Sequence, residues 1–336
     1  MSSPNTAPAG APVSGPVQDL TADLAAMLEG VLGVCAVDDL VRLSGGASRE
    51  TWRFGADGRP LVVQIQRAGD LRDMRLEASV VSAAERAGIP VPHLLACSST
   101  AGTDSPAVPG SGFMVLTAVD GETIARKILR DEIYGIARGA LTGQLGAALA
   151  RLHAISPDTV PGLPETDQVD QYRQLLDALG QPHPAFELAF RWLEAHRPSS
   201  SARTIVHGDF RLGNVIVDES GLRAVIDWEL AHLGDPMEDL GWLCVKAWRF
   251  GSTKPVAGVG DYTELFGAYE AAGGGRVDPD AVRWWEVLGT LKWGIMCIMQ
   301  AAAHLSGTTR SHELAAIGRR VCENEHDLFL ALDGRW

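Results

Sequence analysis

The chain has 336 residues, of which 46% are hydrophobic and 21% charged, enough for a sizeable core and the composition of an ordinary globular protein. Its net charge of −13 excludes the basic footprint that nucleic acid requires and disfavours adsorption to anionic membranes. No apolar run reaches the roughly 20 residues of a membrane-spanning helix, and five dispersed cysteines without a C-x-x-C read as reduced thiols of a cytoplasmic protein.

Residues 1–17, rich in Pro, Ala, Gly and Ser, lack a basic segment and an apolar core, so they read as a flexible tail and no signal peptide. Residues 18–33 carry Leu20, Leu24, Met27 and Leu28 on one helical face. Strand character follows from Asp39 to Ile65, interrupted by Ser44-Gly45-Gly46-Ala47-Ser48 and by the hairpin turn Asp57-Gly58. The backbone of Ser44, Gly45, Gly46 and Ser48 is suited to approach phosphates closely, although S-G-G-A-S is also an ordinary hairpin connection. A helix over 72–87 ends at Gly88-Ile89-Pro90. Two further strands, His93 to Cys97 and Phe113 to Ala118, flank a Ser-, Thr-, Gly- and Pro-rich loop. From Asp131 the periodicity turns helical, with segments at 136–155, 168–179, 184–196, 240–250, 260–272, 279–305 and 311–333.

Residues 207–229 carry the chemistry. Val215 to Val217 and Leu222 to Ile226 read as two strands of a hairpin around Asp218-Glu219-Ser220-Gly221. That hairpin returns Asp227 beside Asn214, close to Asp209. A carboxylate facing a hydroxyl, with an amide and a second carboxylate to hold Mg2+, is what phosphoryl transfer needs. The H-x-D-x-x-x-x-N spacing from His207 to Asn214 matches the catalytic loop of kinases. Two other readings of these residues stand. His207, Asp209, Asp227, His232 and Asp235 have the composition of a His/carboxylate metal centre, and Asp209 and Asn214 are also ordinary turn-capping residues.

The motif, together with Asp227-Trp228-Glu229 and the following Gly234-Asp235-Pro236 and Asp239-Leu240, resembles the aminoglycoside phosphotransferase and choline kinase family. Within it the chain looks most like the branch associated with acyl-CoA dehydrogenases. The resemblance implies an α+β, bilobal protein-kinase-like fold. Its N-lobe, 18–118, is a small antiparallel sheet with a helix, and its C-lobe, 119–336, is larger and mainly helical. It implies Mg2+ and ATP as cofactors, Asp209 as catalytic base, and Asn214 and Asp227 as metal ligands. Ser44, Gly45, Gly46, Ser48, Gln64, Glu77, and the backbone of Leu116 and Ala118 would bind the nucleotide. It further implies a small-molecule hydroxyl acceptor, such as a hydroxyacyl-CoA or hydroxy acid, and no obligate protein partner. An aminoglycoside or amino-alcohol acceptor belongs to the wider family.

In relatives, Glu77 would pair with a cation on the third strand, at the position of Gln64. Glutamine forms no ion pair, so either Gln64 or the nearby Arg67 is expected to replace it. A kinase-fold module that binds nucleotide without turnover is the competing expectation from this departure. Six of the nine tryptophans lie between Trp228 and Trp293. With Lys246, Arg249, Arg283 and Lys292 interspersed, that region reads either as helix core or as an acceptor pocket with an anion site.

Overall fold

A computed structural model of the chain describes residues 21–22, 24–26, 28–29, 32–33, 36–43, 49–66, 72–98, 112–199 and 202–335. The tail 1–17, Ser44, Gly45, Gly46 and Ser48, Arg67, and the loop 99–111 lie outside the described residues. The described chain divides into two compact units, residues 1–78 with 93–118 and residues 79–92 with 119–336.

The first unit is built on a five-stranded antiparallel sheet of order β1-β2-β3-β5-β4, comprising β1 (Val37–Arg42), β2 (Arg49–Ala56), β3 (Arg59–Gln66), β4 (Leu94–Ser98) and β5 (Phe113–Thr117). Asp57 and Gly58 both take positive φ, 48° and 73°, the backbone that a two-residue type I′ hairpin requires. The register pairs Phe54 with Leu61 and Trp52 with Val63. Leu61, Val63 and Ile65 therefore share one face, buried with Phe54, Val115 and the helical Leu24 and Leu28. A one-residue slip would bring Val62 and Gln64 into that core, so the apolar alternation fixes the register. Arg49, Thr51 and Gln64 stand on the opposite face. Helix α1 (Met74–Arg86) begins in this unit and continues in the second.

The second unit is mainly helical, with two small β pairs: β6 (Thr204–Val206) with β9 (His232–Gly234), and β7 (Val215–Asp218) with β8 (Gly221–Val225). The β7–β8 turn is held by Asp218, whose Oδ1 accepts from the backbone N–H of Ser220 and of Gly221. The helices are α2 (Ala125–Arg130), α3 (Gly135–His153), α4 (Gln168–Leu179), α5 (Pro184–Ala195), α6 (Met237–Cys244), α7 (Tyr262–Ala271), α8 (Pro279–Leu305), α9 (His312–Gly318) and α10 (Val321–Leu332). Asp278 caps α8 by accepting from the N–H groups of Asp280 and Ala281, and Pro279 occupies its first turn. The core packs Phe186, Phe190 and Leu193 of α5 against Trp284, Leu288, Leu291 and Ile295 of α8 and Leu328 of α10.

Two sequence expectations are corrected. The helix expected over 311–333 is two helices, broken after Gly318, where a helix-weakening glycine lies so close to Ala301 that a Cβ would come within 2.5 Å. The helix expected over 240–250 starts at Met237 and ends at Cys244, and a 3-10 turn over Lys246–Arg249 follows it. No described helix is long and apolar enough to cross a membrane.

Candidate functional site

Strand β6 delivers the chain to His207-Gly208-Asp209. Gly208 has φ of +78°, and a Cβ there would lie 2.5 Å from the Leu230 carbonyl oxygen. Only glycine meets both demands. The Asp209 carboxylate that follows is fixed from several sides. Its Oδ1 accepts from Trp242 Nε1 at 2.7 Å and from Arg211 Nε at 3.0 Å. Its Oδ2 accepts from Asn214 Nδ2 at 2.6 Å. Asn214 ends a 3-10 turn and is nearly fully buried, and its Nδ2 also donates to the Asp209 main-chain oxygen at 2.9 Å. With its NH2 group turned to Asp209, the amide oxygen is the end that faces other chemistry.

The hairpin does what its sequence pattern indicates. Val215 pairs with Val225, and the Ile226 N–H donates to the Asn214 carbonyl at 3.0 Å, so Asp227 leaves the return strand next to Asn214. Asp227 takes φ 67°, ψ 58°, a left-handed conformation uncommon outside glycine. Such backbone persists where its surroundings hold it, and it concentrates at functional positions.

Beneath this loop lies a buried polar layer that its own sequence does not reveal. Asp239, on α6 and wholly buried, accepts from the backbone N–H of His207 at 2.8 Å and of Gly208 at 3.0 Å. His153 of α3 binds the same carboxylate through Nε2 at 3.1 Å, and its Nδ1 meets Tyr269 Oη at 2.9 Å. Burial opposes the charge on Asp239, yet the His153 hydrogen bond and the facing donors hold its pKa below the ordinary carboxylate value. Asp239 thereby anchors the start of the 207–209 loop. Lys292, from the middle of α8, donates to the Gly208 carbonyl at 3.2 Å and sits 4.7 Å from the Trp242 ring centre.

The same layer removes the His/carboxylate metal centre. His207 Nε2 is spent on the Ile226 carbonyl, and its Nδ1 accepts from the Asp209 N–H. His232 is spent on the Leu230 carbonyl and on Glu238. Among the described residues no group of three His, Cys, Asp or Glu is placed to hold a metal. Burial pushes the His207 imidazole below its ordinary value of 6.5, outweighing the charges of Asp239 and Asp209. The folded chain thus keeps His207 neutral where the unfolded chain protonates it, and stability present above that value is lost on acidification. In urea unfolding, wild-type stability should fall from pH 6.5 to about 5.5 more steeply than that of His207→Gln. Equal slopes would show that His207 is not held neutral.

In the first unit the glutamate expectation meets an unexpected partner. Glu77 is buried on α1 and is bridged by both terminal nitrogens of Arg49, the Nη1–Oε1 contact measuring 2.7 Å. Arg49 lies on β2, and its Nη1 also donates to Gln64 Oε1 on β3 at 3.3 Å. The cation expected from β3 therefore comes from the neighbouring strand, and Gln64 serves it as a hydrogen-bond acceptor. Leu116 lies in the sheet, paired with Val62 and with Leu94. The N–H of Ala118 donates to the Pro60 carbonyl and that of Thr117 to His93, so those donors are already engaged.

The tryptophan-rich region is mostly core. Trp242, Trp248 and Trp293 pack together with Val245 and Cys297, and Trp284 donates to the Leu193 carbonyl. Trp242 is the exception, through its bond to Asp209. Two of the interspersed cations are used inside the protein, Arg249 against Glu286 at 2.6 Å and Lys292 under Gly208, whereas Lys246 is an exposed side chain that pairs with Asp327.

Residues 39–285 match the model of the "Phosphotransferase enzyme family". Acyl-CoA dehydrogenase family member 10 of Mus musculus is 28% identical over 249 residues, 68% of this chain, and the match spans 22% of that much longer protein. A Ralstonia eutropha protein with a provisional aminoglycoside phosphotransferase name superimposes with a TM-score of 0.74 at 20% identity, covering 94% of this chain and 98% of that one. Spectinomycin phosphotransferase, in complex with ADP and spectinomycin, superimposes with a TM-score of 0.65 at 14% identity, over 92% of this chain and 98% of that one. The fold is therefore kinase-like, and with the family model matching nearly three quarters of its length, the chain belongs to the phosphotransferase enzyme family.

Proposed function

We propose that the protein transfers the γ-phosphoryl group of ATP to the hydroxyl of a small organic acceptor, with Asp209 as the base. The observation that carries this reading is the fixed Asp209 carboxylate, held by Trp242, Arg211 and Asn214, with Asn214 itself joined through the hairpin to Asp227. A carboxylate so restrained is preorganised to orient an incoming hydroxyl and to accept its proton as the oxygen bonds to phosphorus.

The residues fit Mg2+. An amide oxygen from Asn214 and a carboxylate from Asp227 are hard donors of the kind this ion takes. Mg2+ is commonly held by one or two protein oxygens together with substrate phosphates and water, so these two residues suit an ion that arrives with the nucleotide. When bound, it supplies charge neutralisation on the phosphates. The protein's own part is to hold Asn214 through Asp209 and Asp227 through the hairpin, and to keep His207 neutral as a loop support.

Use of a nucleotide is supported by the ADP named with the spectinomycin phosphotransferase. For the acceptor, similarity to acyl-CoA dehydrogenase family members favours a hydroxyacyl compound, free or as its CoA thioester. The test is ADP release from Mg-ATP across a panel of hydroxyacyl-CoAs, hydroxy acids, amino alcohols and aminoglycosides, with Asp209→Asn as blank. Release dependent on a hydroxyacyl compound is expected. Release dependent on an aminoglycoside or amino alcohol alone would replace the acceptor class, and none with any acceptor would contradict the reading.

A further inference from the structure

Arg49 and Glu77 form the one ion pair buried on both sides among the described residues of the first unit. Removing two charges from water costs more than their attraction commonly returns, so such a pair is weak evidence for a stabilising role. Its geometry is specific. Glu77 engages both Nη atoms of Arg49, and Gln64 accepts from Nη1, so the guanidinium is oriented from a helix and from the neighbouring strand. A planar, permanently charged fork held in this way is suited to binding phosphate oxygens.

We propose that Arg49 is the residue that binds the nucleotide's α- and β-phosphates, with Glu77 and Gln64 positioning its guanidinium. This rests on the kinase reading and relocates its phosphate cation from β3 to β2. It also explains how a chain with glutamine at position 64 retains the site. Gln64 provides no charge, and its amide instead orients the arginine that does.

Calorimetric titration of the full chain with ADP and, separately, with adenosine tests the assignment. Arg49→Gln alone strands a buried carboxylate and risks unfolding, so the principal variant is Arg49→Gln/Glu77→Gln, which leaves a neutral hydrogen-bonded pair. Loss of ADP affinity by about 10- to 100-fold is expected, the range for hydrogen bonds to a charged group, with adenosine affinity unchanged. Arg49→Gln/Gln64→Lys, which returns a cation to β3 opposite Glu77, should recover most of the ADP affinity. Equal loss for ADP and adenosine would reduce Arg49 to a structural role and overturn the assignment. Wild-type ADP affinity in the neutral-pair variant would do the same. Failure of the wild-type chain to bind ADP at all would instead sink the kinase reading, and this assignment with it.

Discussion

Asp209→Asn is expected to lower kcat by about 100- to 10,000-fold, the contribution of a positioned general base, while leaving the acceptor KM nearly unchanged. The variant keeps the shape of the side chain and one oxygen, so an acceptor for the Trp242 and Arg211 donors survives. What it loses is the second oxygen, which now presents an NH2 group to the NH2 of Asn214 that lies 2.6 Å from Oδ2 in the wild type. The effect therefore falls on the base and on the orientation of Asn214, and much less on the packing of the loop. Steady-state kinetics with whichever acceptor supports ADP release separates the two parameters. Wild-type kcat in the variant would remove Asp209 from the chemistry. A raised KM at unchanged kcat would make it a binding residue.

Asp239→Ala is expected to destabilise the fold by about 3–5 kcal/mol, the cost of removing one partner from a buried charged arrangement. Asp239 is wholly buried and accepts from the His207 and Gly208 N–H groups and from His153. Deleting it strands two backbone donors and an imidazole without water to replace it. Because its folded pKa lies below the ordinary 3.8, its contribution is present above that pH and is lost as pH falls through the folded value. Urea denaturation at neutral pH measures the loss. A change below about 1 kcal/mol would mean that the loop is held by other contacts.

Which parts of this molecule were legible in its sequence follows from the range of the interactions. The hairpin that joins Asn214 to Asp227 is a local device, and two short apolar runs around an Asx turn at Asp218 announce it. The Asp57-Gly58 turn and the Asp278-Pro279 helix start are similarly local. The supports of the catalytic loop are not. Asp239 and Lys292 reach it from 31 and 84 residues away, and a lone acidic or basic residue on an apolar helix has no sequence signature of its destination. Arg49 was missed for a related reason. The expectation followed the chain along β3 to Gln64 and Arg67, whereas the partner of Glu77 is set by strand register, across the sheet from Gln64. Trp242 was visible only as part of an aromatic-rich stretch; nothing but the fold separates its indole, bonded to Asp209, from its packed neighbours.

Phosphoryl transfer by this protein is tested by intact-mass analysis of the acceptor together with nucleotide quantification after a single turnover with Mg-ATP. The acceptor is expected to gain one phosphoryl group in step with equimolar ADP, and both products are expected to vanish in Asp209→Asn. ADP accumulating with inorganic phosphate, while every acceptor stays unmodified, would contradict this transfer and leave a nucleotide hydrolase in place of a kinase.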